Sequence, residues 1–169
     1  KGGWIAQKGV VDAELFNELI SEPLYRQIPP KSTGREHYGM EFQKKLLKRS
    51  KSIKKQDIIR TITEFTAHSI RYNYSNFIYP KTKISELIIS GGGAENPVLM
   101  KALRGYFKGV KVSKINQFGI NSRNKEAVLF AVLANECISG NPANMNSVTG
   151  STRDAVLGKI CLAESTKSL

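Results

Sequence analysis

Three consecutive glycines have a setting that suits phosphate binding. Residues 91–93 follow the short apolar run 86–90 and precede Asn96 and Pro97, a pair typical of a helix N-terminus. Glycine lets a ligand approach the backbone closely, and free N–H groups at a helix start favour an anion. We predict a buried strand, a phosphate-binding turn and a helix. The alternative is a tight strand–helix turn without a ligand, because the pattern is neither a Walker loop nor the dinucleotide fingerprint.

A second candidate is Glu126, which opens a nearly all-apolar run from Ala127 to about Cys137. A helix that is apolar on every side is normally buried, so we expect this one in the core. There Glu126 would project into a cleft beside the glycine turn, where it could hold a metal or orient a water or hydroxyl. The alternative is a carboxylate that only stabilises the helix N-terminus.

The third candidate is a polar loop over residues 28–36. Two prolines predict an extended approach and Gly34 a sharp turn. Arg35 and the hydroxyls could clamp a polar ligand such as a sugar, or the loop could be solvated and make only local turns. No nucleophile–base pair is recognisable, and His68 is expected to be structural.

The elements around these candidates are mostly helical. Asp12 is an expected N-cap for a helix that ends at Pro23, and a second helix is predicted from Asp57 to about Tyr72. A second strand over 110–115 completes a strand–turn–helix–strand unit, which predicts two parallel strands in an α/β fold. Two strands are few for a sheet covered on both faces, so we expect further strands outside this chain.

Charge is concentrated in one segment of the 169-residue chain. Lys plus Arg total 26 against 14 acids, a net charge of +12. The segment 44–60 holds eight cations and one acid, Asp57. It predicts either a solvated basic helix face or loop, or a nucleic-acid site, although it has no aromatic residue for base stacking.

Composition excludes several other classes of protein. No apolar run reaches the roughly 18 to 20 residues that a membrane span needs. Cys137 and Cys161 fit a reducing compartment as small buried side chains, and a structural zinc site is not expected. The opening at Lys1 is not a signal peptide, so we expect the chain to start within a longer protein.

Four motifs occur in an order that resembles one known family. They are residues 29–36 (PPKSTGRE), 89–100 (ISGGGAENPVLM), 125–127 (KEA) with 130–134 (FAVLA), and 144–150 (NMNSVTG). Together they resemble the C-terminal half of the anhydro-N-acetylmuramic acid kinase family, to which yeast levoglucosan kinases are similar. The resemblance covers essentially the whole chain.

The resemblance implies an α/β fold of the actin, Hsp70 and sugar-kinase type, whose two domains close around ATP, Mg²⁺ and a sugar. Residues 1–169 would be the C-terminal portion of the second domain, predominantly helical with at least two strands. The first domain and the first strands of the second would be absent, which would leave a sheet edge and apolar helix faces uncovered. Four residues would bind nucleotide: Gly91, Gly92, Gly93 and Asn96. Glu126 would be catalytic, with water or metal open as its partner, and four residues would bind substrate: Lys31, Ser32, Thr33 and Arg35.

The activity that the resemblance implies is hydrolysis of a 1,6-anhydro ring coupled to phosphorylation at the 6-oxygen. The family's catalytic aspartate belongs to an Asp-x-Gly-x-Gly-Asn segment that this sequence lacks, so we predict that the chain alone is inactive. Two alternatives stay open: a levoglucosan kinase, and a non-catalytic pseudo-kinase that binds sugar or nucleotide. The resemblance also implies a cytoplasmic protein that is a homodimer at full length, with no membrane or nucleic-acid partner and no metal ligand assigned in this chain.

Overall fold

A computed structural model describes residues 2–29, 31, 33–121, 124–146 and 150–161. The chain divides into two compact units, Lys1–Ser122 and Arg123–Leu169. Among the described residues, no helix is long and apolar enough to cross a membrane.

The first unit is mainly helical. Its helices are α1 (Trp4–Gln7), α2 (Ala13–Ser21), α3 (Pro23–Arg26), α4 (Arg35–Tyr38), α5 (Met40–Arg49), α6 (Lys55–Asn73) and α7 (Pro97–Tyr106). Its strands are β1 (Glu86–Ile89) and β2 (Lys111–Lys114). A π-helical turn (Tyr74–Ile78) extends α6, and 3₁₀ turns cover Gly92–Glu95 and Ile115–Phe118.

Helix α2 begins where its cap residue predicts. The Asp12 carboxylate accepts a hydrogen bond from the Leu15 backbone N–H at 2.9 Å, which satisfies a donor that has no partner within the helix. Leu15 and Leu19 lie on one face and are buried. Pro23 follows the end of α2, as expected, and also opens α3.

Helix α6 joins two apolar clusters. Ile58 and Phe65 lie in a cluster with residues of α2, α3 and α5. Ala67 lies in a second cluster with α7 and the sheet. The helix is longer than the predicted 57–72, because Lys55 and Gln56 precede Asp57 and a π-helical turn follows.

The two strands are parallel, as predicted, with Glu86 opposite Lys111 and Ile89 opposite Lys114. The prediction that the first strand is buried is wrong: Ile88 is 47% exposed, and the other three residues of the strand are only half-buried. Successive side chains of a strand point to opposite faces. Leu87 and Ile89 therefore pack with α7 in the second cluster, whereas Ile88 points away from it.

The basic segment forms the exposed side of α5 and the start of α6. All of its cations except the half-buried Arg60 are exposed. Three cations of the segment pair with acids: Lys44 with Glu41 at 2.9 Å, Arg60 with Glu64 at 4.0 Å, and Arg49 with Glu18. The segment thus forms an exposed helix face, and its exposure does not choose between a solvated face and a nucleic-acid site.

The second unit contains α8 (Lys125–Ser139), which ends at Gly140 in the left-handed conformation, φ 70°. The prediction that this helix is buried is wrong: it has no buried residue, and Phe130 and Ile138 are 69% and 76% exposed. Apolar composition favours burial but supplies no partner surface. The exposure agrees with the expectation that apolar helix faces stay uncovered.

The tail after α8 is held by polar contacts. The Asn144 Nδ2 donates to Ser151 Oγ at 2.7 Å, and Asn144 Oδ1 accepts from the Ala155 N–H at 2.7 Å. Gly158 lies against Cys137, since a Cβ there would be 2.9 Å from the Cys137 Sγ. Cys137 is half-buried but Cys161 is exposed, so the expectation of two buried thiols is wrong. The rest of the fourth motif, residues 147–149, lies outside the described residues.

Candidate functional site

The glycine turn (residues 91–93) follows β1 and needs glycine at its first position. Gly91 has φ 79° and ψ −172°, a region that only glycine enters readily. The chain then makes a 3₁₀ turn in which the Ala94 N–H donates to the Gly91 carbonyl and the Asn96 N–H to the Gly93 carbonyl. The buried Ala94 anchors this turn.

One side of the glycine turn has room for a ligand. A Cβ added at Gly91 or Gly92 would meet no atom of the described residues within 4 Å, whereas one at Gly93 would lie 3.2 Å from Leu99 Cδ2. The turn therefore packs on α7 through Gly93 and leaves the backbone of Gly91 and Gly92 accessible. This geometry fits close approach by a nucleotide phosphate.

Asn96 caps α7 with its side chain. Its Oδ1 accepts hydrogen bonds from the N–H groups of Val98 and Leu99, at 3.0 and 3.3 Å. Pro97 has no N–H, and Met100 N–H donates to the Asn96 carbonyl. The expectation of free N–H groups at this helix start is thus wrong, because the cap and the helix already use them. Donors for an anion would have to come from the glycine turn itself.

Two adjacent glycines near the start of the chain, Gly2 and Gly3, also support the turn, and the sequence alone did not indicate this role. Gly3 has φ 69°, and a Cβ there would overlap the Asn96 carboxamide. A Cβ on Gly2 would lie 3.8 Å from the Glu95 carbonyl oxygen. The chain before α1 thus lies directly against Asn96. Two consecutive glycines in the sequence could have indicated a close backbone contact, but nothing near them in the sequence indicates which residues they contact.

Lys31 lies half-buried beside the end of α3. Its Nζ donates to the Tyr25 carbonyl at 3.2 Å and to the Leu24 carbonyl at 3.5 Å, and it lies 5.1 Å from the centroid of the Phe77 ring. Lys31 and Thr33 both line a pocket of about 760 Å³ in the first unit. The structure therefore brings two of the four expected substrate residues to one cavity.

The remaining part of that loop differs from expectation. Ser32 lies outside the described residues, and Arg35 is exposed and starts α4, so the loop ends before Glu36. Gly34 is extended, with φ −157°, and does not make the expected sharp turn. Its carbonyl accepts from the N–H groups of His37 and Tyr38, and that short helix replaces the turn.

A buried polar group borders the same pocket. The Tyr25 hydroxyl lies 2.9 Å from His68 Nδ1, and the His68 ring also contacts Phe16 and Tyr106. Burial lowers the pKa of His68 and raises the pKa of Tyr25 to about 12. His68 is thus packed within the first unit, as expected for a structural histidine.

Glu126 lies in the first turn of α8, in the second unit, and is exposed. A carboxylate here is stabilised by the helix dipole, and the Asn124 cap residue makes no side-chain hydrogen bond to the helix start. No group of three potential metal ligands from His, Cys, Asp and Glu occurs in the part of the chain that the structure describes. A catalytic role for Glu126 stays a prediction.

The sequence pattern of the anhydro-N-acetylmuramic acid kinase family matches residues 1–163. Among curated relatives, the enzyme of that name from a Bacillus cereus strain is 44% identical over 162 residues, 95% of this chain and 42% of the relative. The one from Clostridioides difficile (strain 630) is 39% identical over 160 residues, again 95% of this chain and 42% of the relative. The chain thus spans less than half the length of these relatives.

The match confirms the resemblance drawn from the four motifs. The mainly helical structure with its small parallel sheet is consistent with a C-terminal fragment of the sugar-kinase-type fold. With a family pattern that covers 163 of 169 residues, the chain belongs to the anhydro-N-acetylmuramic acid kinase family.

Proposed function

We propose that this chain is part of an ATP-dependent kinase that hydrolyses and phosphorylates anhydro-N-acetylmuramic acid. In this reaction water attacks the anomeric carbon, the bond to the 6-oxygen breaks, and that oxygen takes the γ-phosphoryl group of ATP. The products are N-acetylmuramic acid 6-phosphate and ADP. The observation that carries the proposal is the family match over residues 1–163.

The chain's residues would divide into three roles. The accessible backbone of Gly91 and Gly92 would approach the phosphates of ATP, while Asn96 keeps the turn in place through its cap on α7. Glu126 would orient the attacking water or contact Mg²⁺, the ion that neutralises phosphate charge when bound. Lys31, Ser32, Thr33 and Arg35 would bind the sugar.

We expect the chain alone to be inactive. It spans 42% of its relatives, and the sequence lacks the aspartate segment expected to supply the base. Phosphoryl transfer depends on positioning and electrostatic stabilisation from both sides of a cleft, and loss of a general base alone costs about 10²- to 10⁴-fold. ATP-dependent turnover by the purified chain would contradict this.

A chimera tests the activity directly. The matching region of the Bacillus cereus relative is replaced by this chain, and sugar phosphate is measured by mass spectrometry after incubation with ATP, Mg²⁺ and anhydro-N-acetylmuramic acid. We expect turnover, and we expect Glu126→Gln to lower kcat by about 10²-fold or more. Glu136→Gln in the same helix is the matched control and should retain activity. A folded chimera that turns over no anhydrosugar would contradict the proposal and favour a pseudo-kinase.

The same assay addresses the alternative substrate. Levoglucosan replaces the amino sugar under identical conditions, and preferential turnover of levoglucosan would reassign the substrate. A homodimer and a cytoplasmic location remain part of the proposal for the full-length protein, and gel filtration of the chimera with light scattering tests the first.

A further inference from the structure

The carboxyl ends of the two strands place a charged pair beside the glycine turn. β1 and β2 are parallel, and Ile89 at the end of β1 lies opposite Lys114 at the end of β2. The Lys114 Nζ lies 3.4 Å from the Glu95 Oε2. Glu95 is the last residue of the 3₁₀ turn that starts at Gly92. Lys114 therefore reaches this turn from the neighbouring strand, at the edge where parallel sheets bind their ligands.

The Glu95 carboxylate is unfavourable beside a phosphate site. Its negative charge would repel a phosphate at the accessible backbone of Gly91 and Gly92, which precede Glu95 in the same short segment. Both side chains of the pair are partly exposed, Lys114 at 40% and Glu95 at 46%. Exposed ion pairs contribute little to stability. The stability of the fold alone therefore does not account for a lysine at this position.

Lys114 has the chemistry to offset the repulsion and to bind phosphate. An ammonium carries three donors, so a contact with Glu95 leaves donors for a second acceptor. Lysine binds phosphate as a point charge. Among the ion pairs of the described residues, the pair of Lys114 and Glu95 is the one that includes a residue of the 3₁₀ turn. The partly exposed ammonium can thus contact Glu95 and a phosphate at the same time.

We propose that Lys114 is a further nucleotide-binding residue, whose ammonium contacts a phosphate of ATP at the glycine turn while Glu95 holds it there. This inference rests on the proposed function and adds a residue that lies outside all four motifs. Glu95 is a positioning residue, because it acts through Lys114. Since the ammonium recognises phosphate charge, Lys114 should contribute to the binding of ATP and not to the binding of adenosine.

Direct binding tests the inference without turnover. The affinity of the 169-residue chain for ATP with Mg²⁺ and for adenosine is measured by calorimetry or ligand-detected NMR. A hydrogen bond to a charged group corresponds to about 10- to 100-fold in affinity. We expect Lys114→Met to weaken ATP binding by that factor and to leave adenosine binding unchanged. Equal weakening of both, no effect on ATP, or no ATP binding by the unaltered chain would overturn the assignment.

Lys111→Met is the matched control. Lys111 lies at the other end of β2 and pairs with Glu86 at 2.9 Å, so its replacement removes the same charge and an ion pair from the same strand. We expect the ATP affinity of this variant to stay unchanged, and thermal unfolding shows that both variants are folded. A loss as large as that of Lys114→Met would reflect net charge or strand stability and would contradict the inference.

A double variant separates contact with phosphate from neutralisation of Glu95. Lys114→Met combined with Glu95→Gln removes both the ammonium and the repelling carboxylate. If Lys114 contacts phosphate, the double variant should bind ATP at least about 10-fold more weakly than Glu95→Gln alone. Equal affinity of these two variants would show that Lys114 only neutralises Glu95, and the inference would be wrong.

The outcome is distinguishable from the fate of the kinase proposal. In the chimera with the Bacillus cereus relative, Lys114→Met should raise the KM for ATP and leave the KM for the anhydrosugar unchanged. An active chimera whose KM for ATP is unaffected would support the kinase and contradict the role of Lys114. Lys114-dependent ATP binding together with a folded but inactive chimera would support that role and contradict the kinase.

Discussion

A single carboxamide oxygen organises the glycine turn. Asn96 Oδ1 accepts from two backbone N–H groups of α7, and its carboxamide leaves no room for a Cβ on Gly3. The cap therefore ties together the start of α7, the turn before it and the chain before α1. Substitutions at Asn96 and Gly3 should show this coupling.

Replacing Asn96 by alanine should destabilise the first unit. Asn96→Ala leaves the N–H groups of Val98 and Leu99 without their acceptor, and loss of an N-cap costs about 0.5–2 kcal/mol. Urea denaturation followed by circular dichroism measures the loss. Asn96→Asp retains the oxygen and should restore most of the stability; equal losses for the two variants would contradict the cap.

Gly3→Ala should lower the free energy of unfolding more when Asn96 is present than when it is replaced by alanine. Alanine at a left-handed φ costs about 1–2 kcal/mol, and its Cβ would also overlap the carboxamide. In the Asn96→Ala background that overlap disappears, so only the backbone cost should remain. A double-mutant cycle on unfolding free energies tests this, and additive effects would show that the contact is not important.

At the scale of elements, hydrogen bonds of a threonine hydroxyl as well as apolar packing hold α6 against its neighbours. The fully buried Thr61 donates to the Asp57 carbonyl at 2.7 Å and accepts from the Asp12 N–H at 2.9 Å. Asp57 in turn accepts from the Val10 N–H at 2.8 Å. These contacts hold the segment between α1 and α2 against the start of α6.

Thr61→Val should therefore cost more than the same change at Thr63. Both residues are buried and both donate to a carbonyl one turn earlier, but only Thr61 also accepts from another segment among the described residues. Valine at position 61 would leave the Asp12 N–H unsatisfied, at a cost of about 1–3 kcal/mol. Thr63→Val is the matched control, and equal changes in unfolding free energy would contradict the role of the Asp12 contact.

Packing between helices also makes stability depend on pH. Burial lowers the pKa of His68 below its usual 6.5. The unfolded chain then binds a proton more readily than the folded chain, so the His68 contribution is present above about pH 6.5 and is lost as the pH falls toward the lower folded pKa.

The thermal midpoint of the chain should fall over that acidic window, and His68→Gln should reduce the slope of the decrease. His37→Gln changes an exposed histidine and is the control. Thermal unfolding at closely spaced pH values measures the difference. An unchanged slope in His68→Gln would contradict the assignment of this pH dependence to His68.

At the scale of the whole molecule, the apolar exposed side chains of α8 dominate the expected solution behaviour. Val128, Leu129, Phe130, Val132 and Ile138 are all exposed. Contiguous apolar surface on a chain in water promotes association. The chain spans 42% of its relatives, so the surface that it presents alone need not be the one presented by a complete kinase.

The purified chain should therefore bind an apolar dye and associate with increasing concentration. Phe130→Ser should weaken both effects without lowering the thermal midpoint, because that side chain is 69% exposed. Leu103→Ser, at a fully buried position in α7, should instead lower the midpoint. Dye fluorescence and light scattering provide the measurements, and a monomeric chain that binds no dye would contradict this expectation.

Local chemistry made much of the fold predictable from the sequence. Asp12, Asn96 and Pro97 mark helix starts through contacts within a few residues, and all three mark the observed starts of α2 and α7. The two parallel strands follow from a strand–turn–helix–strand order that leaves few connections. The family was also recognisable from the sequence, because four motifs in the same order are more specific to one family than any single motif is.

Tertiary structure alone decided which surfaces meet. Gly3 contacts Asn96, which is far from it in the chain. Lys31 and Thr33 line one pocket together with residues of α2, α5 and α6. The apolar residues of α8 predicted burial, yet exposure depends on whether a partner surface is present. By itself the sequence determined the capped starts of α2 and α7, the two parallel strands and the family, since those signals are local or ordered along the chain. The neighbours of each surface required the structure, because packing depends on contacts that no single segment encodes.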